Sequence, residues 1–344
     1  MNRAVQLGSG VATGVGSMPG TDPREPASVV AGELPHLPHV VELPARGPGA
    51  DMVGRAVALL ADLHADVQPS GWRLVDRPGA DERRAAAYLG EDLDETERAL
   101  QGRVGPVKTQ VCGPWTTATA LRLTRGEPAL SDAGAVRDIA QSLTEGVCAH
   151  LADLRRRLPG AELVLQVDEP SLPAVLDGGV RSSSGARRFA AVPEAVVEAV
   201  LRALGDAVAD LDVPVVVHCC ADRPPVALLH RAGLSGLSLD LTLLPRALQD
   251  EVAAAVEGGV ALLAGLVPTA ADHGAGLSDV TATVEPVRAL WRRTGLAVDT
   301  LRQVVVTPTC GLAGESPTHA KAALELAREG ARRLAEDPDR TEER

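Results

Sequence analysis

The sequence predicts a (β/α)8 barrel with loop insertions, an α/β fold, and three observations lead there. Eight short aliphatic runs recur along the 344 residues, most of them separated by segments with helical spacing. These runs are continuously apolar rather than alternating, which marks strands buried on both faces, as in parallel sheets. Polar residues able to do chemistry stand just beyond their C-terminal ends, where barrels of roughly 250 residues gather their active sites. A doubly wound open sheet is the main competitor. Its dinucleotide fingerprint is missing, because Gly14-Val15-Gly16-Ser17-Met18-Pro19 runs into proline and not into a helix.

In chain order the predicted strands are Val11 to Gly16, Val40 to Leu43, Val107 to Cys112, Leu163 to Val167, Val213 to Val217, Leu234 to Leu239, Val260 to Leu266 and Val304 to Val306. Between Pro193 and Val208, residues Val196, Val197, Val200, Leu201, Leu204 and Val208 share one helical face, with Pro193 suited to a first turn. Further helices are predicted over Asp51 to Ala65, Asp132 to Arg157, Pro245 to Glu257, Val280 to Arg293 and Pro317 to Leu334. Two insertions interrupt the alternation. Gln68 to Arg84, with Pro69, Gly71, Pro78 and Gly79, reads as a small hairpin or loop whose Trp72 could cap the barrel mouth, and Pro170 to Val192 reads as a long polar connection, a candidate lid. Residues 1–334 are expected to form a single barrel, and 335–344 a charged, disordered tail.

Composition narrows the partners. Hydrophobic residues make up 45% of the chain and aromatics only 1%, so the core must be built from Ala, Val and Leu, and stacking surfaces for bases are scarce. A formal net charge of −12 disfavours nucleic acid and anionic membranes. No signal peptide is visible and no run approaches the roughly 20 apolar residues of a membrane span, so a soluble, cytoplasmic protein is expected. Five cysteines, an odd number, read as reduced thiols and not as a disulfide framework.

Three separated pieces carry the chemistry: His218-Cys219-Cys220, Asp240 and Cys310, each beyond a predicted strand. Imidazole, thiolate and carboxylate are the side chains that zinc accepts. Residues two apart on an extended segment point the same way, so His218 and Cys220 can face one cation while Cys219 points away. Cys112, Cys148 and Cys219 read as core or near-site residues, since a lone buried Cys is most often a small hydrophobe.

His218-x-Cys220, an acidic residue after the next strand and Pro308-Thr309-Cys310-Gly311-Leu312 resemble the zinc site of cobalamin-independent methionine synthases. Gly16-Ser17-Met18-Pro19 resembles the family's Gly-Ser-(aromatic)-Pro opening, Ala50-Asp51-Met52-Val53 its Asn-Asp-Met-Val stretch, Gly113-Pro114 its Gly-Pro turn, and Gln166-Val167-Asp168-Glu169-Pro170 its Gln-Ile-Asp-Glu-Pro motif. The matches keep their order from Gly16 to Leu312, nearly the whole chain. The resemblance implies a barrel shared with uroporphyrinogen decarboxylases, and a zinc-dependent methyltransferase that converts homocysteine to methionine, with His218, Cys220 and Cys310 binding zinc. Asp240 stands at the fourth ligand position, where the family has glutamate. Asp168 matches the carboxylate that holds the amino group of homocysteine, the backbone at Gly16 and Ser17 matches the part that receives its carboxylate end, and Glu42 matches the family's second amino-binding glutamate.

Two departures bear on the methyl donor. The chain corresponds to the C-terminal catalytic half of full-length family members, and the family's general-acid histidine after the seventh strand is not evident in Gly265-Leu266-Val267-Pro268-Thr269, leaving His273 as the candidate catalytic acid beside Asp168. Both departures favour methylcobalamin or a corrinoid methyl-carrier protein over methyltetrahydrofolate. The alternatives are a uroporphyrinogen-decarboxylase-like enzyme or corrinoid:thiol methyltransferase acting on another substrate, and a non-catalytic metal-binding barrel.

Overall fold

A computed structural model describes residues 7–269, 277 and 279–338. The chain begins with α1 (Arg24–Glu33) and α2 (Met52–Leu59), followed by a hairpin of β1 (His64–Gln68) and β2 (Gly71–Val75) and then by α3 (Ala80–Ala99). From there strands and helices alternate: β3 (Gly105–Cys112), α4 (Pro114–Ala120), α5 (Ala133–Arg157), β4 (Ala161–Asp168), α6 (Leu172–Leu176), α7 (Glu194–Ala209), β5 (Val215–Cys219), α8 (Val226–Arg231), β6 (Gly236–Asp240), α9 (Gln249–Glu257), β7 (Ala261–Val267), α10 (Val280–Thr294), β8 (Val305–Pro308) and α11 (Pro317–Glu336). Strands β3 to β8 form one parallel six-stranded sheet in sequential order, and each matches a predicted strand.

The first two predicted strands are corrected. Segments 11–16 and 40–43 are not regular strands; they make isolated parallel bridges, Ala12 with Val306, Ser17 with Glu42 and His39 with Lys108. Backbone hydrogen bonds accompany the bridges, with Thr13 N–H donating to Val306 O at 3.1 Å, Met18 N–H to Glu42 O at 2.8 Å and Val40 N–H to Lys108 O at 2.9 Å. Glycine and proline explain the irregularity. A Cβ on Gly14 would lie 2.3 Å from His39 Nε2 and one on Gly16 2.7 Å from Gln110 Cγ, so these positions serve the close approach of interior side chains and not a ladder. Pro38 and Pro44 bracket the second segment, where each removes a ladder donor.

Alternation along the strands divides the buried residues. Val11, Leu37, Val164, Val216, Leu263 and Val305 pack together as a separate apolar layer, while Val215, Val217, Leu237, Leu239, Leu262 and Ala264 join the larger core beneath the helices. Burying a Val or Leu side chain stabilises by about 1.5–3 kcal/mol. A core this aliphatic therefore reaches its stability through number, since aromatics are nearly absent. On the strands that carry Val164 and Val216, the inward positions nearer the C-terminal ends are polar: Gln166 and Asp168 on β4, and His218 on β5.

Several expected boundaries move. The helix predicted over Asp51 to Ala65 stops at Leu59, because His64 opens the hairpin. Trp72 is buried in the core, its Nε1 donating to Pro48 O at 3.3 Å, instead of capping the mouth. The connection after β4 is tied down, Ser183 N–H donating to Glu127 Oε2 at 3.1 Å, and its own backbone pairs Arg181 with Arg188 in an antiparallel bridge. Helix α3 was not predicted, although Ala85, Leu89, Leu93 and Thr96 form its buried face at helical spacing. The predicted tail begins inside α11, and 339–344 lie outside the described residues. Among the described residues, no helix is long and apolar enough to cross a membrane.

Candidate metal and substrate site

The C-terminal ends of β5 and β8 bring His218, Cys220 and Cys310 together, their ligand atoms all within 4.8 Å of one another. Cys220 Sγ and Cys310 Sγ are 3.6 Å apart, although 90 residues separate them in sequence. The pleat of β5 aims His218 and Cys220 to one side and leaves Cys219 buried on the other, where burial pushes its thiol up to about 11 and keeps it protonated. Cys310 is placed by its own loop, where Thr309 N–H donates to Val267 O at 2.9 Å and Leu312 N–H to Ser17 O at 2.8 Å. A Cβ on Gly311 would fall 2.0 Å from Ser17 Oγ, so a larger residue there would have to turn that hydroxyl aside.

The donor set fits a divalent cation. His218 Nδ1 is engaged with Ser238 Oγ at 3.0 Å, whereas its buried Nε2 has no hydrogen-bond partner, so the ring offers that nitrogen to the cluster. Contact with Cys220 first, and then with the His218 ring, holds the Cys310 thiol down at about 4, while the same contact and burial push Cys220 well above the usual thiol range. Two adjacent sulfurs therefore share a proton when no cation is near, and a divalent cation is what allows both to be thiolates.

Beside this cluster stands Asp168, paired in register with His218 across β4 and β5. Gln166 Nε2 donates to its Oδ1 at 2.7 Å, and burial pushes the carboxyl up to about 7, against the favourable charges of His218 and Lys108. Ser17 and the preceding Gly16 lie alongside, bridged to Glu42 and held against the Cys310 loop. Glu42 is buried in an ion pair with Arg55 at 3.3 Å, and Arg55 continues to Asp92 at 2.5 Å.

Asp240 stands apart from these residues. Asp240 lies outside the three-residue cluster, and its Oδ1 instead accepts from the backbone N–H and hydroxyl of Thr242 at 2.8 and 2.6 Å. His273 lies outside the described residues. Sequence reasoning missed Ser238, which is in register with His218 on the neighbouring strand, and Lys108, whose signal was a single charge inside an otherwise uncharged strand. It also left Glu169 without a role. That carboxylate accepts from Trp115 N–H at 2.9 Å and from the N–H and hydroxyl of Thr116, both at 2.7 Å, clamping α4 to the end of β4.

The family model described as the catalytic domain of cobalamin-independent synthase matches residues 11–333. A solved structure of a B12-independent methionine synthase from Shewanella sp. W3-18-1, in complex with selenomethionine, superposes with a TM-score of 0.60 at 12% identity, covering 94% of this chain and 97% of that one. No curated protein matches the sequence.

Proposed function

Because the chain belongs to the cobalamin-independent synthase catalytic-domain family, a methyltransferase family, we propose that it methylates the thiol of homocysteine to give methionine. The convergence of His218, Cys220 and Cys310 beside Asp168 carries this reading. The six parallel strands, with the bridged segments at 12–17 and 39–42, are read as a (β/α)8 barrel with this site at its mouth. A corrinoid donor conflicts with a family described as cobalamin-independent, and the donor proposed is a methyltetrahydropteroylglutamate.

His218, Cys220 and Cys310 would hold zinc, which when bound lowers the pKa of a coordinating thiol and so supplies a thiolate at neutral pH. The remaining work belongs to the chain. Asp168 Oδ1 is occupied by Gln166, while Oδ2 takes no hydrogen bond from a described residue and serves the substrate amino group. The backbone at Gly16 and Ser17 receives the carboxylate end, which sets the substrate sulfur toward the cysteines. A sulfur–carbon bond then forms as the donor's nitrogen–methyl bond breaks, the electron pair of that bond stays on the nitrogen, which takes up a proton from water, and holding the two reactants in line supplies much of the acceleration.

Purified, zinc-loaded protein incubated with homocysteine and either methyltetrahydropteroylglutamate or methylcobalamin tests the reading. Methionine should form with the folate donor. Its absence with both donors would remove the assignment, and formation with methylcobalamin alone would overturn the folate donor.

A further inference from the structure

Lys108 lies in the middle of β3 with 0% of its surface exposed. An ammonium persists at such depth only where its N–H bonds are met. Its Nζ donates to Val15 O at 2.9 Å, to Gln166 Oε1 at 2.8 Å and to Gln110 Oε1 at 3.4 Å. All three hydrogen-bond acceptors are neutral, and the carboxylates of Asp168 and Glu42 act on the ammonium only through space.

This arrangement decides the orientation of Gln166. The two ends of an amide are nearly equal in size, and hydrogen bonding selects which faces where. Lysine only donates, so Oε1 must face it, and the opposite end of the amide then donates to Val15 O at 2.8 Å and to Asp168 Oδ1 at 2.7 Å. The same ammonium grips the carbonyl immediately before Gly16 and Ser17. One buried cation thus acts on both elements that face the proposed substrate, and it touches none of the metal-site residues.

We propose that Lys108 is a positioning residue for amino-acid recognition: through Gln166 it presents Asp168, and through Val15 it fixes the Gly16–Ser17 backbone, so that both ends of an α-amino acid head group are received in one geometry. The proposal rests on the reading of Asp168 and Ser17 as the homocysteine head-group site. A lysine serving the fold alone would affect every thiol ligand equally, whereas a positioning lysine acts on the amino group in particular.

The test compares homocysteine with 4-mercaptobutyrate, the same thiol acid without its amino group, by calorimetric binding to the zinc-loaded protein. Wild type should bind homocysteine the more tightly. In Lys108→Met this preference should shrink by on the order of tenfold, the usual effect of losing a hydrogen bond to a charged group, with zinc content unchanged. Gln166→Met, which leaves Lys108 its Val15 and Gln110 partners, should shrink it as well and decides the matter if Lys108→Met does not fold. A preference unchanged in either folded variant overturns the positioning role and leaves the head-group site standing. A wild-type protein that does not distinguish the two thiols overturns the head-group reading and the proposal with it.

Discussion

Replacing Ser238 with alanine should weaken zinc binding by about 10- to 100-fold while leaving the fold in place. Ser238 is 1% exposed, and its Oγ lies 3.0 Å from His218 Nδ1, with no other described group bonded to that nitrogen. Removing the hydroxyl leaves a ring nitrogen buried without a partner, at a cost of about 1–3 kcal/mol. It also frees the imidazole to rotate and to exchange tautomers, so that Nε2 no longer faces the two sulfurs by default. An affinity loss of 10- to 100-fold corresponds to about 1.4–2.7 kcal/mol, the same scale reached from the other direction. Competition against a chromophoric zinc chelator measures the affinity, and circular dichroism checks the fold. Ser238→Thr, which keeps a hydroxyl, should recover most of the loss. Cys219→Ala should change nothing, because that thiol is buried away from the cluster. Zinc affinity in Ser238→Ala within about twofold of wild type, less than 0.5 kcal/mol, would refute the claim that this hydrogen bond sets the ring.

Cys310→Ser should lose bound zinc and methyl transfer together with little change in far-ultraviolet circular dichroism, since the side chain is only partly buried; metal analysis that still finds stoichiometric zinc would contradict the site. Glu169→Gln tests the clamp between β4 and α4 through pH. Burial raises the folded-state pKa of Glu169 from 4.5 to about 7, so the folded protein keeps a proton that the unfolded chain releases over that interval. Its contribution is fully present below about 4.5 and is lost as pH rises through about 7. The variant should therefore gain on wild type in denaturant unfolding between those pH values, by up to about 3 kcal/mol, and a constant difference between the two proteins would show that the carboxyl does not titrate there.

The parts of this protein legible in its sequence are those that short-range patterns decide. Continuous apolar runs identified β3 to β8 because a strand covered on both faces must be apolar throughout, wherever its neighbours come from. The spacing of two placed His218 and Cys220 on one side of β5, a property of extended backbone alone, and Cys310 was marked by the residues surrounding it. Helix α3 was legible but unread, its buried face diluted by the charges of a solvated one. What tertiary structure decided is everything that depends on distance along the chain. Nothing local forecast that the approach of His39 and Gln110 to glycine backbone would leave the first two segments bridged at single residues instead of laddered, or that Asp240 would close its own turn. Val15 and Gln166, the nearer partners of Lys108, and Ser238, the partner of His218 Nδ1, come from the N-terminal segment and from neighbouring strands, so these bonds exist only once the sheet is assembled. Residue type limits which bonds a side chain is able to make; the register between strands and the closeness of packing select the ones it does make.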